Sequence, residues 1–387
     1  MERKINKSLI SVAKPYIDPY LFFVVITIIA YGLLMLFSSS IEISSKKFNN
    51  PFYYFNKQLI FLAISVIIFF ILEKIKLDSY KKISVLFLFF SIILIFLVIF
   101  PNIGIYANGS RRWLSLYFFT FQPSEIFKLS FLIWLCAYLA NKNEDIKDIK
   151  NFIIPIIVLC FSSLLILMEP DFGSTILLSI ITFLILFIAG AQIFHMLFFA
   201  TVATPILIIL IYYSGHAKAR IISFLNPWDD PLDKGYHLTQ SLMGIGSGGI
   251  LGKGLGASTS KLFFLPETHT DFIFAVIAEE LGLFGVIAIV LLFSSLIWKS
   301  FQIGENAIRV GMKFEGYLAY GIGFFIGGQA LIHMAVNLGL VPTKGLALPF
   351  FSAGGTNYII SMFSLFLLFK IYREVYVKNL KKMGIRN

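Results

Sequence analysis

The residues best placed to do chemistry lie in the run Leu265-Pro266-Glu267-Thr268-His269-Thr270-Asp271-Phe272, just ahead of a long apolar stretch. An aspartate at the mouth of an apolar helix, flanked by His269 and Glu267, has the make-up of a general base. Nearby acids and apolar surroundings would raise its proton affinity. The plainer alternative is that Thr270 or Asp271 caps a helix and His269 is a satisfied polar side chain. A second run, Asn108-Gly109-Ser110-Arg111-Arg112-Trp113-Leu114, holds two adjacent arginines. Guanidinium forks suit a phosphate-bearing group, and the alternative is a turn with a tryptophan anchored at a membrane interface. The glycosylation tripeptide at Asn108 is a chance match.

Three further runs carry polar residues into apolar surroundings. In Gln122-Pro123-Ser124-Glu125-Ile126-Phe127-Lys128, Pro123 suits a helix start. Glu125 and Lys128, three apart, share a face and either pair with each other or line a cavity. In Met168-Glu169-Pro170-Asp171-Phe172-Gly173-Ser174-Thr175, a tight acidic turn, either Asp171 caps the next helix or the turn's acids, Glu169 and Asp171, join an outer polar site. Lys344 lies in Val341-Pro342-Thr343-Lys344-Gly345-Leu346-Ala347-Leu348-Pro349, and Phe351-Ser352-Ala353-Gly354-Gly355-Thr356-Asn357 follows. Glycine and proline break the backbone there at membrane depth, which is tolerated only where protein or a watery cavity covers it. A glycine-rich run, Gly244 to Gly249 and Gly252 to Gly256, matches G-x-G-x-x-G by letter alone. No strand precedes it, and Gly254 follows Lys253 where a phosphate-binding loop needs Ser or Thr, so a nucleotide site is excluded. It reads as a flexible external loop whose backbone can approach a ligand closely.

Helices in lipid must position these residues. Of 387 residues, 58% are hydrophobic, 14% are charged and 43 are phenylalanine. An average soluble domain is about 25% charged. The mean hydropathy is +0.85. The apolar runs do not alternate, so they are membrane-spanning helices and not strands. The expected fold is all-α: a polytopic integral membrane protein of about ten transmembrane helices, residues 1–387 forming one membrane domain. Spans are expected at 20–40, 58–73, 83–101, 122–140, 152–168, 172–190, 192–213, 275–298, 316–337 and 350–372, with one large extracytoplasmic loop over 214–270. The run from Asp271 to Trp298 is too long for one upright span. It reads as a short re-entrant helix over 271–281 and a span after Gly282, which brings Glu279 and Glu280 near the surface.

Orientation follows the lysine and arginine bias. Arg3, Lys4, Lys7, Lys14, Lys74, Lys76, Lys81, Lys82, Lys142, Lys147, Lys150, Lys299, Arg309, Lys313 and the tail from Lys370 to Arg386 all fall inside if both termini are cytoplasmic. The net charge of +11 then reflects topology and anionic lipid, not nucleic-acid binding. Cys136 and Cys160 lie in apolar runs and read as packing residues. No cleavable leader is apparent, so the first helix is expected to be retained.

These runs, in this order and spacing, resemble the SEDS family (shape, elongation, division, sporulation). LPETHTDFIFAVIAEELG and PTKGLALPFFSAGG carry the resemblance most specifically. PTKGL and Ser260-Lys261-Leu262 look like the FtsW, or division, branch. Tyr236-His237-Leu238 and Gly246-Ser247-Gly248-Gly249 have some RodA, or elongation, character, and the usual SYGGSS ending reads Ser352-Ala353-Gly354-Gly355-Thr356-Asn357. The resemblance implies a peptidoglycan glycosyltransferase that polymerises lipid II into β-1,4 glycan strands at the outer face of the cytoplasmic membrane. It implies a class B penicillin-binding protein as partner, other division or elongation proteins beside it, and help from a divalent cation, Mg²⁺ or Mn²⁺. The family's essential aspartate falls on Asp271, and its outer-cavity Arg, Glu and Lys fall on Arg112, Glu125 and Lys128. Arg111, His269 and Lys344 complete the candidate substrate contacts, with Asp271 and Glu125 as candidate metal ligands. Two rival readings are a lipid II flippase and a non-catalytic scaffold of the division machinery. The gathering of polar residues on the outer side favours the enzyme.

Overall fold

The computed structural model describes residues 17–382 apart from 101–102, 108–109, 117–118, 234 and 266. Arg3, Lys4, Lys7, Lys14, Asn108, Gly109, Pro266 and Arg386 lie outside the described residues. Twelve α-helices and one small sheet make up the fold in the described stretch: α1 (Pro19–Phe48), α2 (Tyr53–Leu72), α3 (Leu77–Ile99), β1 (Gly104–Ala107), β2 (Ser110–Leu116), β3 (Phe119–Phe121), α4 (Pro123–Lys142), α5 (Ile149–Met168), α6 (Phe172–Ile188), α7 (Ile193–Tyr213), α8 (Gly215–Leu225), α9 (Tyr236–Gly248), α10 (Ile273–Arg309), α11 (Lys313–Asn337) and α12 (Gly355–Lys382). Each expected span coincides with a helix. Seven of those described are by themselves long and apolar enough to cross a membrane, so the chain is a multi-pass membrane protein.

Local chemistry sets the helix ends. Asp18 caps α1, its Oδ1 accepting from Leu21 N at 2.9 Å, and Pro19 fills the first turn where no donor is needed. The same carboxylate takes Lys299 of α10 at 2.7 Å and ties the start of α1 to its neighbour. In its most apolar stretch α4 is 83% buried whereas α2 is 11% buried, so α4 is the core of the bundle and α2 a lipid-facing wall. Helices α1, α10, α11 and α12 pack with α4 around a continuous apolar core that includes Phe127, Phe131, Phe274, Phe325 and Phe351.

The structure differs from the sequence reading in four places. The segment 104–121 is a three-stranded antiparallel sheet in the order β1-β2-β3, not a turn. Segment 214–270 holds two helices, α8 and α9, and a single π turn over Ser260–Phe264. Helix α12 begins at Gly355, not at 350, because the stretch that carries Pro342 and Pro349 stays irregular. The expected break at Gly282 is present, with φ 62° and ψ −155°, but Glu279 and Glu280 are fully buried and not near the surface.

Their burial is explained by the glycine-rich run. Lys253 N and Gly254 N donate to the Glu279 and Glu280 carbonyls at 3.0 and 2.9 Å, and Leu283 N donates to Gly249 O at 3.0 Å. A Cβ at Gly252 would stand 2.2 Å from the Glu280 carbonyl, and one at Gly282 would stand 2.4 Å from Gly252 N. At Gly248, Gly252 and Gly282 the missing side chains therefore let one backbone lie against another at the broken helix. Lys253 pairs with Glu279 at 2.7 Å and Lys261 with Glu280 at 3.1 Å. Ser258 and Thr259 Oγ1 add donors to Glu279 at 2.6 and 2.8 Å, and Ser38 of α1 adds one to Glu280 at 2.6 Å.

Candidate active site

Asp271 ends a tight turn. The Glu267 carbonyl accepts from Thr270, Asp271 and Phe272 N at 3.1, 3.0 and 3.2 Å, and Glu267 takes a left-handed φ of 57° to aim it. Three successive carbonyls of that turn are then held from the α11–α12 region. Ala353 N donates to His269 O at 2.8 Å, Ser352 Oγ to Thr270 O at 2.6 Å, and Asn337 Nδ2 to Asp271 O at 3.1 Å. The Asp271 side chain is left free: its carboxylate accepts no hydrogen bond among the described residues. Gly345 covers it so closely that a Cβ there would stand 3.0 Å from Oδ2. Burial, with Glu267 adding and Arg112 and Arg220 opposing, raises the Asp271 carboxyl to about 7. That is the range in which a carboxylate works as a general base at neutral pH.

The charges around it come from four other parts of the chain. Strand β2 points alternate side chains to opposite faces, so Arg111 and Arg112 diverge. Arg112 reaches the α5–α6 turn, where Nε donates to Glu169 O and Nη2 to Pro170 O, each at 2.8 Å. Arg111 lies over the Tyr106 ring at 5.9 Å and is not brought into the group. Asp171 caps α6, accepting from Ser174 N at 3.0 Å and from Ser174 Oγ at 2.7 Å. It also lies close enough to act on Lys344, Arg220 and Glu169, so the residue that caps α6 sits beside these charged groups as well. Lys344 is lowered to about 8 by burial and by Arg220, with Asp171 opposing.

One member escaped the sequence reading. Arg220 sits on α8, and its guanidinium has no hydrogen bond or ion pair among the described residues. Desolvation and the neighbouring Arg112 lower its proton affinity, while Asp271 and Asp171 raise it. The available signal was Lys218 and Arg220 beside Ile221, Ile222, Phe224 and Leu225, an amphipathic pattern inside what read as a loop. Glu169 is 1% exposed, and neither carboxyl oxygen has a hydrogen-bond partner among the described residues. Burial and Asp171 raise it to about 9, so it is a neutral acid at pH 7.

Glu125, Lys128 and His269 make contacts other than with the Asp271 carboxylate. Lys128 and Glu125 form a fully buried pair at 2.7 Å on α4, and Asn357 Nδ2 donates to the other Glu125 oxygen at 3.0 Å. Each Glu125 oxygen thus has one partner within the protein. His269 is buried under the Tyr54 ring, centroids 4.4 Å apart, and burial lowers its proton affinity. Among the described residues no three His, Cys, Asp or Glu side chains are grouped to hold a metal ion. The protein alone does not fit a closed divalent site. A cation bound through one carboxylate would need substrate phosphate oxygens to fill its shell.

Comparison with known proteins fits this arrangement. Residues 19–377 match the profile of the cell cycle proteins grouped as FtsW, RodA and SpoVE. A protein of Nitrosococcus halophilus named probable peptidoglycan glycosyltransferase FtsW is 40% identical, covering 96% of each chain. A namesake from Legionella pneumophila is 40% identical over 92% of this chain and 91% of its own. Two solved structures share the fold at 24% identity. One is a chain of a peptidoglycan synthase complex, with TM-score 0.77 over 93% of this chain and 98% of the other. The second is the rod shape determining protein RodA of Thermus thermophilus, with TM-score 0.68 over 95% and 99%. By a profile that runs almost from end to end, and by relatives of equal length, this chain belongs to the FtsW/RodA/SpoVE family of cell cycle proteins.

Proposed function

We propose that this membrane enzyme, a peptidoglycan glycosyltransferase, extends glycan strands with Asp271 as the general base and with Arg112, Arg220 and Lys344 as the anion-binding arm. The observation that carries the reading is the Asp271 carboxyl. It accepts no hydrogen bond among the described residues, is raised to about 7, and lies within the field of two arginines that come from different elements. A lipid-linked sugar diphosphate needs that combination. Asp271 takes the proton of the acceptor 4-hydroxyl as its oxygen bonds to C1 of the donor. The bond from C1 to the diphosphate oxygen breaks, and the diphosphate leaves with the electron pair. Attack from the opposite face converts the α-linked donor to a β-linked product. Arg220 and Lys344, both without hydrogen-bond or ion-pair partners among the described residues, are placed to meet the charge that grows on the leaving group, and Arg112 is fixed by its two carbonyl contacts. A divalent cation, if engaged, adds a Lewis acid for the diphosphate.

The site lies on the outer face of the cytoplasmic membrane in this reading, with both termini inside. Charge supports it: one cavity of about 280 Å³ brings Lys81, Lys313 and Lys378 together beside Asp78 and Glu315, so three segments that carry the expected inner lysines meet at a single end of the bundle. The proposed partner is a class B penicillin-binding protein that crosslinks the product during septum synthesis. The test is polymerisation of lipid II by the purified chain with that partner. Asp271→Asn, nearly the same shape without the charge, is expected to abolish product while the complex and its melting temperature persist. Polymerisation at the normal rate by Asp271→Asn would remove the base assignment.

A further inference from the structure

One face of α11 is polar at Gln329, His333 and Asn337, four residues apart each time, although all three lie deep in the bundle and are at most 1% exposed. Each reaches the backbone of a site segment. Gln329 Nε2 donates to Ala347 O at 3.2 Å, and Asn337 Nδ2 donates to Asp271 O at 3.1 Å. Between them, His333 Nδ1 stands 2.6 Å from the Leu346 carbonyl oxygen. A carbonyl only accepts, so Nδ1 carries the proton, and Nε2 is left buried and without a partner.

The position of Leu346 gives this contact its consequence. Its side chain abuts Gly173 in the first turn of α6, where an added Cβ would stand 3.0 Å from Leu346 Cγ. Asp171, two residues before Gly173, caps that turn. On the other side of Leu346, Gly345 covers the Asp271 carboxylate. Lys344 precedes Gly345, and its ammonium lies in the field of Asp171 and Arg220. The irregular backbone has no ladder of its own to fix this height, since Pro342 and Pro349 bound a stretch outside any helix or strand.

We infer that His333 is a positioning residue: by donating to Leu346 O it fixes how closely Gly345 covers Asp271 and where Lys344 stands against Asp171. The inference rests on the assignment of Asp271 as the base. It differs from a role in stability alone, because loosening the segment uncovers the Asp271 carboxylate to water. Uncovering removes the largest cause of its raised proton affinity. Geometry also makes the requirement specific. An Asn amide at 333 reaches about as far from the backbone as Nδ1, whereas a Gln amide reaches as far as Nε2, one bond too many.

The experiment is the pH profile of kcat/KM for lipid II polymerisation by the full chain with its partner, taken for wild type, His333→Asn, His333→Gln and His333→Leu, with melting temperatures alongside. His333→Asn is expected to keep the wild-type acid limb and rate. His333→Gln and His333→Leu are expected to lose about tenfold in kcat/KM, the worth of one well-placed hydrogen bond, and to shift the acid limb downward by half a pH unit or more. If His333→Leu does not fold, the Asn and Gln variants decide alone. Equal profiles for Asn and Gln, or a wild-type limb in every variant, overturn the inference. Asp271→Asn is run beside them. An active Asp271→Asn sinks the base assignment, whereas an inactive one with equal Asn and Gln profiles sinks only the role of His333.

Discussion

Asp271 and the pair Glu279–Glu280 stand at opposite ends of one short helix, and the chain treats their charges in opposite ways. At the far end every carboxylate is answered. Glu279 has Lys253, Ser258 and Thr259, and Glu280 has Lys261 and Ser38. At the near end, among the described residues, Asp271 has no hydrogen bond to its carboxylate, and Arg220 and Lys344 have no hydrogen-bond or ion-pair partner. Burying charge is costly unless it is paired. The far end meets that cost internally and becomes a clamp that holds the glycine-rich loop on the break at Gly282. The near end leaves it unmet, which suits a site whose partner charges arrive with the substrate. Glu125 and Lys128 belong with the clamp by this criterion, since Lys128 and Asn357 satisfy both Glu125 oxygens.

The contrast is sharpest in its largest consequence. Asp271→Asn is expected to lower kcat/KM by about a thousandfold, within the range a general base supplies, with the melting temperature unchanged or raised because a buried charge is removed. Glu280→Ala should behave the other way. It strands Lys261, 5% exposed, and is expected to cost about 3–5 kcal/mol of stability. The same loss removes the clamp that holds the loop before Asp271. Thermal melting in detergent checks this, and a Glu280→Leu, Lys261→Met double variant is expected to recover most of the loss. If Asp271→Asn destabilises as strongly as Glu280→Ala, the division of the helix into a chemical end and a structural end fails.

How much of this division the sequence disclosed follows from the range of each interaction. Spans were legible because lipid demands long apolar runs, and the break at Gly282 because the run from Asp271 to Trp298 exceeds one crossing. Asp271 stood out as a lone acid at the end of such a run. The pairing of Glu125 with Lys128 was one of two readings, since partners three apart share a helix face. Lys253 and Lys261, by contrast, lie 26 and 19 residues from their glutamates, and nothing local marks the pairing. The sheet over 104–121 was missed because its strands are short, β3 only 3 residues long, so no alternation accumulates. Arg220 was missed because a single cation in a loop is ordinary until the fold carries it to an aspartate.

Arg220 gives the next smaller test. It is the most easily removed part of the unpaired end, on a helix outside the bundle core. Arg220→Ala is expected to lower kcat/KM for lipid II by about 10–100-fold, the loss of one charge-assisted hydrogen bond to the diphosphate. Arg220→Lys should recover part of that loss but not the forked geometry. The melting temperature should stay within about a degree, because no protein group loses a partner. A large fall in stability would place Arg220 with the clamp instead.

The smallest effect lies in the pH dependence of the unpaired end, and its sign follows from the two shifted groups. Asp271, at about 7, must be deprotonated to accept the acceptor's proton, so kcat/KM falls as pH drops through that value. Lys344, at about 8, must stay protonated to meet the diphosphate, so kcat/KM falls again as pH rises through it. The expected profile for the free enzyme is a narrow bell with its maximum between the two values. Lys344→Arg holds its charge at every accessible pH and is expected to flatten the alkaline limb while the acid limb stays in place. Bound diphosphate favours the ammonium form, so the alkaline limb of kcat should lie higher than that of kcat/KM. An alkaline limb that survives in Lys344→Arg would have to come from a group other than Lys344.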